Sequence, residues 1–350
     1  MALHQFIQQL LLIGVRFEPL ALPPVLRPPV ALAPLIESIA AEHQVFDERA
    51  VHYGHRYRSG YWAIYLLSAI AVLFAVVPLA LGWDDSRHTL HPFVGLWALG
   101  EVFVIATLAA IYWQGHRRDW QGQWLHARTT AELTWYLPLV APLVDFQRPD
   151  SSNEPANWYL RVFDPGQNLR AAGDVEALCV RNEALARERL ELAWSDPTFV
   201  TDYAMWTIDI LEGQRQYHHR VAQKQHALLH RVHGLNFWLF GLTAVGALLH
   251  LMMHTLWLSL ITTFFPALGA SLHGALAQSE AYRLNVTSER LVTELQGAIA
   301  RIQTTLTVQR SLDADATPEV RASIQAAIAL ILEEHQDWHM LVRPHHLPLG

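Results

Sequence analysis

Within the run Phe93–Trp113 a single residue, Glu101, carries charge. A carboxylate at the centre of a bilayer costs about 2.5–3.5 kcal/mol on insertion scales. Such a group either lines an ion or proton path, or stays protonated and hydrogen-bonded to fix helix packing; both readings follow from the same burial cost. At about 1.5 Å per helical residue, Glu101 lies roughly 18 Å from the inner end of its helix, and His250 and Thr262–Thr263 roughly 21–22 Å from theirs. The depths match, so Glu101, His250, Thr262 and Thr263 are the candidate permeation residues.

Other chemistries find less. His219, His226, His230 and His233 share one helical face, and two histidines four apart can chelate zinc. A site needs a third ligand and a supporting carboxylate, yet no Asp or Glu stands between Glu212 and Glu280 and no His-Glu-x-x-His occurs. These histidines, and the pair His335 and His339, read as solvated faces, and no metal is expected. The serines lack a His/Asp context. The lone Cys179 excludes an intramolecular disulfide and a thiolate cluster. With no Gly-rich phosphate loop and no strand alternation, neither a cofactor nor catalysis is expected.

The elements that position these residues follow from charge distribution. From Val232 to Ser279, 48 residues pass without Asp, Glu, Lys or Arg, broken only by the polar Met253-His254-Thr255. One crossing takes about 20 apolar residues, so this run holds two. Tyr61–Trp83 and Phe93–Trp113 supply two more. The chain is 52% hydrophobic and 16% charged, against about 25% charged in soluble domains. Trp62, Trp83, Trp113, Trp238 and Trp257 fall where interfacial belts place tryptophan. The net charge of −7, with no basic block, gives no reason to expect nucleic acid as a partner.

Basic residues flank the crossings on one side: Arg49, Arg56 and Arg58; Arg117, Arg118 and Arg128; Arg215, Arg220, Lys224 and Arg231; Arg283 and Arg290. By the positive-inside rule both termini and residues 114–234 lie in the cytoplasm of a bacterial inner-membrane protein. The start lacks the basic region of a cleavable signal, so the first crossing directs insertion. On that side the glycosylation match Asn285-Val286-Thr287 is a chance one.

The expected fold is all-α: a polytopic membrane protein whose four transmembrane helices form two tandem hairpins with long cytoplasmic helices. A Pro-rich apolar segment (1–45) reads as extended. Then come a first two-pass module (46–145, crossings 61–83 and 93–113), a linker with an amphipathic helix (146–197) and a loop at Phe146–Asn157. A second module (198–310, crossings 235–253 and 256–277) and a C-terminal helix and tail (311–350) complete it. Helices are expected to run on unbroken past crossings two and four, and Asp313–Thr317 to break the last of them. After crossing four, Leu284, Leu291, Leu295, Ala298 and Ile302 form a stripe at steps of three, four and seven, which predicts a homo-oligomer. Gly241, Gly246, Gly269 and Gly274 are expected to bring the third and fourth crossings close.

The halves repeat weakly. Arg-Thr-Thr-Ala-Glu-Leu (128–133) follows the first hairpin and Asn-Val-Thr-Ser-Glu-Arg-Leu (285–291) the second. Trp124–Leu133 resembles the Arg-x-x-Ala-Glu helix of SLATT-type two-pass membrane proteins. Leu211–His219, Phe265–Gly274 and Gln278–Glu280 are similar to that group too. The resemblance covers roughly residues 46–310. It implies a membrane effector in a bacterial nucleotide-signalled conflict system, with Arg128, Glu132, Gln214, Tyr217 and His218 as a membrane-proximal motif. No nucleotide-sensing domain is recognisable in residues 1–60, so a separate cytoplasmic sensor is implied. Arg128 and Glu132, four apart, either pair with one another, at about 0.3–0.5 kcal/mol, or dock the partner repeat. The expected function is a permeability-altering effector; the alternative is a non-catalytic scaffold for a cytoplasmic partner.

Overall fold

The computed structural model describes residues 1–15, 17, 27–83, 85–144, 169–253, 255–312 and 317–341. The expected loop at Phe146–Asn157, His254 of the second turn, most of the break before Thr317 and the tail beyond Leu341 lie outside the described residues. So do the side chains of His335 and His339.

Among the described residues the chain is helical throughout, with nine α-helices and no strand. These are α1 (Leu3–Leu11), α2 (Ala33–Ala80), α3 (Val94–Arg117), α4 (Trp120–Val140), α5 (Leu169–Leu190), α6 (Pro197–Met253), α7 (Trp257–Gln278), α8 (Ala281–Leu312) and α9 (Thr317–Leu341). Parts of α2, α3, α6 and α7 are long and apolar enough to cross a membrane. α2–α3 and α6–α7 are the two hairpins.

Two helices dominate. α2 has 48 residues and α6 has 57, about 72 and 86 Å at 1.5 Å per residue. Each spans an apolar half, where its hairpin partner packs, and a polar half, where α4 lies along α2 and α8 along α6. The halves therefore repeat as long helix, return helix, break and extramembrane helix.

The breaks correct the expectation of continuous helices. After α3 the chain turns at Asp119 (φ 44°), and after α7 at Glu280 (φ 54°). A left-handed non-glycine residue costs roughly 1–2 kcal/mol. At the first break a cap offsets that cost, since the Asp119 carboxylate accepts the Gly122 backbone N–H at 3.1 Å. At the second, Glu280 meets Arg283 at 3.8 Å. The N-terminal segment also differs from an extended one. α1 is helical, and α2 begins at Ala33 because Pro34 stands in its first turn, where a missing N–H costs nothing.

In the apolar layer the helices stand in a row, α3–α2–α7–α6, with α2 against α7 as the seam between hairpins. Pro78 leaves the Phe74 carbonyl without its helical donor, and the Trp97 indole N–H fills the vacancy at 2.6 Å. Gly100 lets α3 approach that same Phe74 ring. Gly246 and Gly269 do bring α6 and α7 together, but Gly274 instead meets Tyr65 of α2, and Gly241 faces open space.

The extramembrane core joins the start of α2 (Leu35, Ile39) to α4, α5, α6, α8 and α9. Leu295, Ala298 and Ile302 are buried inside it, and Leu291, one turn earlier on α8, is buried as well, each at most 1% exposed. The stripe therefore packs within the chain and is not a free face for a second copy. α5 is tied to α2 by Ser38 donating to Asn182 at 2.5 Å and by Arg181–Glu42 at 2.7 Å.

Candidate functional site

The permeation candidates are not gathered. Glu101 is half-buried on α3, beside the face that packs on α2. His250, Thr262 and Thr263 belong to the other hairpin, across the α2–α7 seam. His250 sits beside the turn between α6 and α7, its Nδ1 3.1 Å from the Thr255 carbonyl. Thr262 donates to its own helix at Leu258, 3.2 Å away, and Thr263 is exposed. Depth along a helix was the only coordinate the sequence offered; the row separates residues that a closed bundle would bring together.

The membrane-proximal motif behaves oppositely. Arg128, Glu132, Gln214, Tyr217 and His218, with Ser288 of α8, line one cavity of about 210 Å³ between α4, α6 and α8. Arg128 is ion-paired to Glu132 one turn on and donates to the Tyr217 hydroxyl. Burial opposes its charge, but Glu132 and Tyr217 outweigh that and hold the guanidinium protonated. His218 Nδ1 lies 3.3 Å from the Ser288 hydroxyl, linking the second long helix to the repeat of the Arg-Thr-Thr-Ala-Glu segment.

His218 is lowered from 6.5 to about 4 by burial, which outweighs the opposing pull of Glu132, with a smaller lowering from Arg128. A histidine neutral in the fold and basic when unfolded contributes stability above its unfolded value. That contribution is lost as pH falls from about 6.5 through about 4. Stability should therefore fall over that interval, by up to about 1.4 kcal/mol per pH unit for one such group, and the melting temperature with it. His218→Gln, which still hydrogen-bonds Ser288, should flatten the drop, as thermal melts at stepped pH would show. An unchanged profile would mean that His218 titrates normally.

A larger cavity, of about 360 Å³, adjoins the first through Arg128 and Tyr217. It lies where α3 gives way to α4 and α7 to α8, between the two hairpins. One wall is aromatic: Trp124 stacks on Tyr57 (5.6 Å between centroids), and the Arg58 guanidinium lies 5.5 Å over Trp124. Gly54 makes room for that indole. Gln278 at the end of α7 donates to the Tyr57 hydroxyl at 2.9 Å, pinning one hairpin to the other. α1 closes one side, its His4 Nδ1 3.1 Å from the Ser59 hydroxyl.

Arg58 and Lys224 entered the sequence reading only as flanking charges. They come from different hairpins, 166 positions apart, so no local pattern joins them. The glutamines around them carry no motif either. Among the described residues no group of three or more His, Cys, Asp or Glu is placed to hold a metal ion. The histidine stripe of α6 is dispersed: His219 bonds Gln223 at 3.0 Å and His233 stacks on His273. No protein-family model, curated protein or solved structure matches the chain.

Proposed function

We propose that the chain is a non-catalytic membrane effector. Its cytoplasmic helices, when rearranged, change the permeability of a bacterial inner membrane in which both termini face the cytoplasm. The observation that carries this reading is the continuity of α2 and α6 from the apolar layer into the extramembrane core. Each is one rigid rod gripped at both ends, so a shift of α4 or α8 acts directly on the crossings. The basic flanks supply the orientation, and the SLATT-type resemblance of Trp124–Leu133 and Leu211–His219 points the same way.

An open row encloses no path by itself. α3 stands at one end and turns Leu96, Leu99, Val102 and Phe103 outward, at 61–72% exposure. A permeation path would therefore form between copies, with Glu101 at the flank of α3. In liposomes of the purified protein, wild type should conduct ions. Glu101→Gln, which keeps the hydrogen-bonding shape without the titratable proton, should insert normally yet lower the flux or abolish its pH dependence. Flux of Glu101→Gln equal to wild type at every pH would reduce Glu101 to a packing residue. Wild-type liposomes as tight as empty ones would leave the scaffold reading in its place.

A further inference from the structure

We propose that the 360 Å³ cavity between the hairpins is a binding site for a phosphate-bearing ligand, held by Arg58 and Lys224. The two cations converge on it from α2 and α6, and neither has an ion-pair partner among the described residues. Arg58 uses its Nε on its own helix, donating to the Gly54 carbonyl at 3.1 Å, and its side chain lies against Trp124. Lys224 reaches solvent at the cavity wall. The two repel: each is held below its ordinary pKa by burial first, and Arg58 lowers Lys224 further. Two cations sharing one concavity without a counter-charge are unfavourable until an anion enters.

The acids nearby do not serve. Glu132 is committed to Arg128, Glu280 stands beside Arg283, and Asp47 is an exposed rim residue. The remaining polar surface fits a ligand with donors and acceptors as well as charge. Gln5, Gln8, Gln121, Gln225 and Gln278 line the cavity from four helices, and a carboxamide offers both functions. Two of the lining atoms, His55 Nδ1 and Gln225 Oε1, are buried with no hydrogen-bond partner. Buried polar atoms are usually paired, so both are available to a ligand that enters the cavity. Phosphate matches because a guanidinium and an ammonium together satisfy several of its oxygens by charge-assisted bonds.

Such a phosphate has two sources. The cavity lies at the end of the apolar layer, at headgroup depth. α1, which roofs it, turns Leu3, Phe6 and Leu10 outward while burying His4 and Gln8. That orientation suits a helix resting on a lipid surface. A free phosphorylated solute would enter the same cavity by the same groups.

The test uses the full-length protein in a phosphate-free maltoside detergent, followed by thermal melting and tryptophan fluorescence. The probes are inorganic pyrophosphate, dioctanoyl phosphatidylglycerol and dioctanoylglycerol, the last having acyl chains without phosphate. We expect saturable stabilisation by at least one phosphate probe and none by dioctanoylglycerol. Pyrophosphate alone would assign a free ligand, and the lipid alone a headgroup. A response to both would assign a phosphate site open to either. In Arg58→Gln/Lys224→Gln the half-saturating concentration should rise at least about tenfold. The same variant without probe should melt no lower than wild type, because mutual repulsion is gone. Should the double variant fail to fold, Lys224→Gln alone carries the comparison. No response to either phosphate probe, or an equal response in the variants, overturns the proposal. Permeability does not enter the readout, so a failed flux experiment leaves this result intact.

Discussion

Replacing Leu291 and Leu295 together with aspartate should unfold the extramembrane half of the protein, at a cost of at least about 4 kcal/mol. Each leucine is 1% exposed, and Leu295 packs in one core with Ile302, Tyr203 and the α9 residues Ile324 and Ile328. Truncating one buried leucine costs about 2–5 kcal/mol, and an unpaired carboxylate in its place adds desolvation. Val308→Asp, on the exposed face of the same helix, should leave stability within about 0.5 kcal/mol of wild type. Thermal melting and limited proteolysis of detergent-solubilised protein would separate the outcomes. A double variant as protease-resistant as wild type would mean that α8 does not pack on α6 and α9.

The stripe that predicted a homo-oligomer is buried within the chain, and the reason shows how far a sequence reaches. A stripe at steps of three, four and seven specifies that a helix face is buried, not what buries it. Here α6 and α9 of the same chain do so. Crossings are different, because a bilayer imposes a composition on each segment independently of its neighbours. α3 and α7 therefore lie within a few residues of the expected spans. The breaks at Asp119 and Glu280 were not legible, since neither acid announces a left-handed conformation and the apolar periods on either side read as continuous. α1 was missed for a related reason. Its buried face mixes the polar His4 and Gln8 with Ile7, while Leu3, Phe6 and Leu10 on its outward face are apolar, so the usual one-sided apolar pattern is missing. The membrane-proximal residues entered through the resemblance of two short segments to SLATT-type proteins, and the fold brings those segments to one cavity. Arg58 and Lys224 needed the tertiary fold to meet.

The seam between the hairpins gives the second large effect. A Cβ at Gly274 would press into the Tyr65 ring of α2, with Cδ1 at 2.9 Å and Cζ at 3.0 Å. Gly274→Leu should therefore destabilise by about 1–3 kcal/mol, the usual cost of overpacking a tight contact. Gly241→Leu, at a position with nothing within 4 Å, should be neutral or slightly stabilising, since a helical glycine is itself unfavourable. The two substitutions share chemistry and differ only in what they meet. Tyr65→Ala should restore much of the loss in the Gly274→Leu background, and a double-mutant cycle would measure that coupling. The consequence extends inward by one turn. Gln278 and Tyr61 stand four residues from Gly274 and Tyr65, and both line the cavity that holds Arg58 and Lys224. A seam splayed by leucine should also break the Gln278–Tyr57 hydrogen bond and loosen the Trp124–Tyr57 stack, shifting tryptophan emission to longer wavelength. If Gly274→Leu melts with Gly241→Leu and keeps the wild-type emission, then α2 and α7 are not in contact. The hairpins would then be independent units, with no shared cavity between them.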